Sequence, residues 1–357
     1  LKQGLQRYRD IQTNGGWKPI PDGKALKPGD TGDDRIPLIA ERLAITGDYS
    51  MPPGESQDLA YDEALVEAVE RFQARHNLGA DGVLGAKTLA AMNVPVDKRI
   101  DQIRVNLERQ RWYLRALEDE FILVNIAGFN VLWVKDDAIE WEQIAQVGKE
   151  FTQTPVFKDE IEYLDFNPTW TIPPGILNRT VIPNLKKDPG YLDKKGYELL
   201  TLQGQPVDPS TVDWQNLEGF PYLVRQPPGP NNALGLVKFM FPNPHLVFLH
   251  DTNARHLFDR PRRLFSSGCI RVKEPFDLAE RLLRDKDGWN RARIDEVVAS
   301  GKTTRVRLDE PMPIIIGYAT AVARDGQVVF REDIYDRDQG VLDALNAEFR
   351  IRNQDSS

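Results

Sequence analysis

The 357-residue chain has a net charge of −8, with 41% hydrophobic and 28% charged residues, enough for two or three ordinary domains and typical of a soluble protein. Its acidic balance argues against broad nucleic-acid binding, which depends on Lys and Arg neutralising phosphate, and no run nears the ~20 apolar residues of a membrane-spanning helix. A single cysteine, Cys269, rules out an internal disulfide and any cysteine-paired metal site, and there is no glycine-rich phosphate loop.

The expectation is therefore a protein without metal or cofactor. The chain starts at Leu1 rather than Met, which reads as a mature or trimmed form whose export signal has been removed.

Residues 1–31 are polar and rich in Gly and Pro (Asn14-Gly15-Gly16, Lys27-Pro28-Gly29-Asp30) and read as an opening scaffold segment without its own core. From Arg35 to Asn93 the pattern is helical: Ile36, Ile39 and Leu43 share one face, as do Leu65, Val69 and Phe72. Asp62 stands where an N-cap belongs, and Asp81-Gly82 turns the chain into a third short helix, Ala86–Met92. Three short helices make a small all-α module over 32–94. Its Ala68-Val69-Glu70-Arg71-Phe72-Gln73, Leu78, Asp81-Gly82-Val83-Leu84-Gly85 and Thr88-Leu89 resemble the peptidoglycan-binding domain of bacterial cell-wall enzymes. The resemblance implies a glycan partner; a spacer without ligand is the alternative.

Pro95 closes this module. Ile100–Leu117 reads as one helix within a linker or scaffold over 95–118, with Ile103, Leu107 and Leu114 on one stripe and a solvated basic face. From Glu120 the period changes to two. Phe121–Ile126, Asn130–Val134 and Ile139–Ala145 alternate, and Asp136-Asp137 marks a hairpin. Further strand candidates are Glu160–Phe166, Ala233–Phe239, Leu246–His250, Thr304–Leu308 and Val328–Phe330, with a short helix at Leu278–Leu283. The pattern lapses over 176–222, which reads as an ordered insertion because long structureless loops are uncommon. The fold class expected is α+β and multidomain: the helical module, a linking helix, a mostly β domain over 119–336 carrying the insertion, and a tail over 337–357.

Cys269 lies in Leu264-Phe265-Ser266-Ser267-Gly268-Cys269-Ile270-Arg271-Val272, nineteen positions after His250. A free cysteine is often merely buried, but a small approach, a nearby Arg and a histidine within reach suggest a nucleophile. A thiol of pKa ≈ 8.5 is only about 3% ionised at neutral pH. An imidazole can activate it as general base or as ion-pair partner. Of His76, His245, His250 and His256, His250 ends the apolar run Leu246-Val247-Phe248-Leu249, where a strand would present it at its tip.

The run from His250 to Cys269 resembles the signature of the L,D-transpeptidases, the family with a YkuD-type catalytic domain. Ser267 stands where the common form has a second His. A long Gram-negative subgroup has Ser there, and the chain is similar to it in three further stretches: His250-Asp251-Thr252, Asn167-Pro168-x-Trp170-x-x-Pro173, and Asn232-Ala233-Leu234-Gly235 before Lys238-Phe239. That subgroup combines a peptidoglycan-binding module with a capping insertion. The resemblance implies Cys269 as nucleophile, His250 as its activating imidazole, and the Asp251 backbone carbonyl as third member. It also implies oxyanion donors at the Gly268 and Cys269 N–H groups, with Phe248 and Ser267 lining the cleft. Arg271 would sit near the donor peptide, brace the loop, or form a structural ion pair. Asn167 and Trp170 read as turn and packing residues.

The reaction implied is 3→3 cross-linking of peptidoglycan tetrapeptide stems through a cysteine thioester, in the periplasm, with stem peptides and glycan as partners alongside other cell-wall synthesis proteins. Arg255, Arg260, Arg262 and Arg263 lie between the two catalytic candidates, either steering carboxylates or solvated. Three other readings remain open from sequence: a hydrolase such as an L,D-carboxypeptidase using the same thioester, a wall-binding protein with an inert Cys269, and a zinc peptidase. The last lacks tight ligand spacing.

Overall fold

The computed structural model describes residues 1–51, 60–113, 117–214 and 219–348. Two compact units emerge: Leu1–Ala116 with Tyr318–Ser357, and Leu117–Gly317.

The first unit opens with α1 (Lys2–Thr13), within the stretch that the sequence marks only as a scaffold segment without its own core. Its Tyr8 is buried and packs edge-on against Phe330. α2 (Arg35–Thr46), α3 (Glu63–Arg75) and α4 (Ala86–Met92) follow. Asp62 caps α3 by accepting the Leu65 N–H at 3.0 Å, satisfying one of the free donors of a first turn. Ile36, Ile39, Leu43, Leu65, Val69 and Phe72 fill one core.

The Phe-Gln and Asp-Gly-Val-x-Gly-x-x-Thr elements have a structural explanation. The buried Gln73 amide donates to the Asp81 carboxylate, the Val83 carbonyl and the Thr88 hydroxyl, and accepts the Asp81 and Gly82 N–H groups. These residues thus shape a loop around one side chain, rather than presenting themselves to a ligand.

α5 (Val96–Tyr113) begins earlier than the sequence pattern suggested, and Leu114 lies outside the described residues. Nor is its basic face simply solvated: Arg99 and Arg109 are buried. Arg99 stacks on Phe330, and Arg109 donates to the Arg337 carbonyl and pairs with Asp338.

The second unit is built on a nine-stranded sheet. Its strands are β1 (Glu120–Asn125), β2 (Asn130–Lys135), β3 (Ala138–Gly148) and β4 (Phe157–Phe166). The β2–β3 turn holds Asp136 and Asp137 at positive φ, the geometry of a tight hairpin. An insertion then carries β5 (Trp170–Thr171), α6 (Pro174–Ile176), a π-helical turn (Leu177–Val181), α7 (Ile182–Lys187) and α8 (Tyr191–Lys195). It continues with β6 (Glu198–Thr201), β7 (Pro206–Val207) and β8 (Tyr222–Gln226). These four strands form a separate sheet, β5-β8-β6-β7, over a core of Ile172, Val181, Leu185, Leu192, Leu199, Trp214 and Val224. The insertion is therefore wider than 176–222 and not without strands, and Trp214 is a core residue rather than an isolated one. Short strands with mixed polarity hid it from a period-two reading.

The main sheet resumes with β9 (Val237–Met240), β10 (Leu249–His250), β11 (Leu264–Ser266) and β12 (Ile270–Val272). α9 (Pro275–Leu282) and α10 (Arg291–Ala299) lead into the long β13 (Thr304–Gly317). Its order is β11-β3-β12-β10-β9-β4-β13-β1-β2, and β3 also pairs with β2, which closes the sheet on itself. β3 manages this because its first half pairs with β2 and its end with β12.

After Gly317 the chain leaves this unit. β14 (Ala321–Arg324) and β15 (Gln327–Phe330) form a hairpin, and α11 (Asp338–Asn346) follows. Ala321, Val328 and Phe330 are buried with Tyr8, Ile100 and Ile103. A β domain ending at 336 is thus corrected to one ending at Gly317. The alternation around Val328 was legible, but which core it completes depends on contacts distant in sequence.

Candidate functional site

Strand register assembles the site. β9, β10 and β12 are consecutive, with His250 opposite Lys238 on one side and Arg271 on the other. The row extends to Asp165 and Arg305 beyond Lys238, and to Gln146 beyond Arg271. Residues directly opposite share a face, and side chains two apart along a strand share it too. Phe248, His250, Cys269 and Arg271 therefore lie on one face. Cys269 precedes β12, tied to β10 by the Ile270 N–H donating to the Phe248 carbonyl at 2.9 Å. It is a diagonal neighbour of His250, roughly 8 Å away between Cα atoms from strand spacing and rise.

His250 is buried, and its Nδ1 bonds to the Asp251 carbonyl. A carbonyl only accepts, so Nδ1 carries the proton and Nε2 is the basic nitrogen. Asp251 is held from several sides. Its N–H donates to the Val237 carbonyl at 2.9 Å, and its carboxylate accepts the Leu236 N–H at 2.9 Å and pairs with Arg255 at 3.0 Å. Gly235 has φ +63°, and a Cβ there would lie 2.4 Å from that carboxylate; only glycine permits the approach.

Burial pushes the His250 pKa down to about 3, reinforced by Arg271 and Lys238 against the Asp251 and Leu234 carbonyls. Burial also raises the Cys269 thiol above its ordinary value, opposed by the Phe248 main chain and the Lys238 and Arg271 charges. At neutral pH both partners are uncharged, which favours proton transfer on attack over a standing thiolate–imidazolium pair. The half-buried sulfur lies 3.9 Å from the Leu246 carbonyl. Leu246 itself is exposed and adopts φ +54°, strain of the kind that gathers at functional sites.

Gly268, at φ +122°, makes the turn into Cys269. Its N–H donates to the Ser266 hydroxyl at 3.1 Å, and that hydroxyl donates to the Cys269 carbonyl at 2.5 Å. The Gly268 N–H, an expected oxyanion donor, is engaged by the Ser266 hydroxyl in this structure. Ser267 is exposed. Arg271 donates to Gln146 at 3.1 Å, whose amide reaches the Ala254 carbonyl at 3.4 Å; of the roles considered for it, this arrangement favours bracing.

The arginine loop is largely committed elsewhere: Arg255 to Asp251, Arg262 to Glu150 at 2.9 Å, and Arg263 to the Phe258 carbonyl at 2.8 Å. Sequence reasoning missed Lys238 and Gln146 as site residues. A lysine within the apolar run Val237-Lys238-Phe239-Met240-Phe241 was the available signal. Asn167, at φ +46°, donates to the Val297, Val298 and Lys302 carbonyls, and Trp170 packs edge-on against Tyr197 in the insertion. His76 stacks between Phe72 and Phe330, and His245 is exposed beside Phe157. Among the described residues, no three His, Cys, Asp or Glu side chains are grouped to hold a metal ion.

Residues 119–316 match the L,D-transpeptidase catalytic domain, YkuD. The chain belongs to that family. Residues 33–92 match the family described as "Putative peptidoglycan binding domain". A curated relative from Haemophilus influenzae, described as "Putative L,D-transpeptidase", is 35% identical over 304 residues, covering 84% of this chain and 62% of the relative. The chain thus spans under two thirds of that relative's length. Among solved structures, an L,D-transpeptidase of Xylanimonas cellulosilytica covers 83% of this chain and 98% of its own at 15% identity and TM-score 0.26. One from Stackebrandtia nassauensis covers 87% and 100% at 12% identity and TM-score 0.30.

Proposed function

We propose that the protein is a cysteine acyltransferase that forms 3→3 cross-links between peptidoglycan tetrapeptide stems. The observation that carries this reading is the shared face of Cys269 and His250, with Nδ1 of His250 bonded to the Asp251 carbonyl and Nε2 left to take a proton. Cys269 attacks the carbonyl of the third stem residue as its proton passes to His250. The oxyanion is met by the Cys269 N–H, for which no partner is found among the described residues; donors aimed at developing charge matter most in acyl transfer. Collapse returns the proton to the departing terminal D-Ala amine and leaves a thioester. A side-chain amine of a neighbouring stem, deprotonated through His250, then attacks the thioester, restoring the thiol and forming the new amide.

In this reading Phe248 and Ser267 line the cleft, and Arg271 braces the strand through Gln146. The insertion favours transfer over hydrolysis by limiting water at the thioester, as lids do. The N-terminal module supplies affinity for the wall, and the substrate places the protein in the periplasm. No helix among the described residues is long and apolar enough to cross a membrane.

Intact-protein mass after incubation with a tetrapeptide stem tests the proposal. Expected is a mass increase equal to the stem minus one molecule of free alanine, absent in Cys269→Ala, and dimers when an amine acceptor is added. Trimmed monomers alone would identify a hydrolase, and no adduct at all would leave Cys269 inert.

A further inference from the structure

Four cations project from the catalytic face: Lys238 on β9, Arg271 on β12, and Arg305 and Arg307 on β13. Three are engaged. Arg305 is bidentate on Asp165 at 2.8 and 3.0 Å, Arg307 approaches Glu162 at 4.0 Å, and Arg271 donates to Gln146. Lys238 differs. Among the described residues its ammonium has neither a hydrogen bond nor an ion pair, and it lies 3.8 Å above the centroid of the Phe248 ring.

A half-buried ammonium without an acceptor loses hydration that a ring recovers only in part, since a cation–π contact is worth ~0.5–2 kcal/mol. Asp165, its row neighbour on β4, is taken by Arg305. Among the described residues the face therefore keeps two cations without a carboxylate partner beside the nucleophile, and of these Arg271 is held by the neutral Gln146 amide while Lys238 has no hydrogen bond. Phe248 directly precedes β10 and accepts the Ile270 N–H next to Cys269, one strand spacing of ~5 Å away. An ammonium above that ring is within reach of the residue just past a carbonyl held at Sγ, because one extended residue spans ~3.5 Å.

We propose that Lys238 receives the C-terminal carboxylate of the donor peptide and so restricts the donor to chains ending one residue beyond the attacked carbonyl. The proposal rests on the transpeptidase reading above and adds its donor selectivity. A longer stem places a neutral amide at the ammonium and leaves the charge unpaired. A donor ending there supplies a charge-assisted contact, the stronger kind of hydrogen bond. Discrimination then comes from the cost of an unanswered, half-buried charge, which separates substrates more sharply than apolar fit.

The test compares acylation rates, followed by intact-protein mass, for three tetrapeptide donors: the free acid, its C-terminal amide, and one with internal carboxylates amidated but the terminus free. The natural protein is expected to react with the free acid at least tenfold faster than with the terminal amide. That ratio should fall to near one in Lys238→Met and be largely kept in Lys238→Arg, with Lys238→Gln as a second neutral variant and thermal melting as the check on folding. The internally amidated donor should behave as the free acid throughout.

An unchanged ratio in the neutral variants overturns the proposal. So does equal slowing of acid and amide, which would place Lys238 with the thiol, or a loss that follows the internal carboxylates instead. If the natural protein is acylated by none of the donors, the transpeptidase reading itself falls, and this inference with it.

Discussion

At His250, burial, Arg271 on one flank and Lys238 on the other outweigh the Asp251 and Leu234 carbonyls and disfavour its charge. With its pKa near 3, the imidazole stays unprotonated far below the pH at which an ordinary histidine becomes protonated, about 6.5. The acylation rate should therefore lack the usual acid limb between pH 5 and 7; a rate that halves near pH 6.5 would contradict this. The same shift affects stability. An unfolded His binds its proton first as pH falls, so stability contributed by neutral His250 is full above about pH 6.5 and is lost from there down toward pH 3. A second expectation concerns Gly235. A Cβ there meets the Asp251 carboxylate at 2.4 Å, so Gly235→Ala should disturb the loop carrying the Asp251 carbonyl. We expect acylation to slow by tenfold or more with a melting-point loss consistent with about 1–3 kcal/mol of overpacking, measured by intact mass and calorimetry.

Within the elements, the Gln73 network explains why the α3–α4 loop has its sequence. One buried amide answers five groups on Asp81, Gly82, Val83 and Thr88. Gln73→Leu would leave the Asp81 and Gly82 N–H donors without that acceptor, at about 1–3 kcal/mol for each buried donor left unmade. The first unit should melt well below its natural temperature while labelling of Cys269 by a thiol reagent persists; loss of both together would argue against a local role. The strands make a different point. β10 is only two residues long, yet its pairing with β9 and β12 decides which side chains surround the thiol. Because a one-residue slip would turn every side chain to the other face, the chemistry depends on that register.

Across the whole molecule, the C-terminal segment completes the first unit. Val328 and Phe330 are buried with Tyr8, the Val328 carbonyl accepts from Arg75, and Phe330 stacks on His76. Ending the chain at Gly317 should therefore destabilise the N-terminal unit by several kcal/mol, since Phe loss from a core alone costs about 3–5. Calorimetry should show the loss in that unit's transition, with acylation at Cys269 retained. His76 adds acid sensitivity to the same region: burial, aided by Arg99 and Arg75, holds it well below its ordinary pKa, so the unit loses stability as pH falls below about 6.5.

How far the amino-acid order reached can be judged from particular residues. The helical module was readable because its apolar spacing and the Asp62 cap are local, and the Cys269 motif because its Ser, Gly and Arg neighbours are contiguous. α1 was not readable, since its polar surface hides one Tyr8 that packs on Trp17 and on Phe330, the latter more than three hundred residues away. The insertion's strands are too short to show a period. Composition, periodicity and motif thus told the fold class and the family to which the chain belongs, because those signals live in neighbouring residues. Pairing of distant strands settled which groups stand beside the sulfur: the loop arginines turned to their own carboxylates and carbonyls, and Lys238 came to face the site. Hydrogen-bond register and burial belong to the folded chain, and no local stretch of sequence contains them.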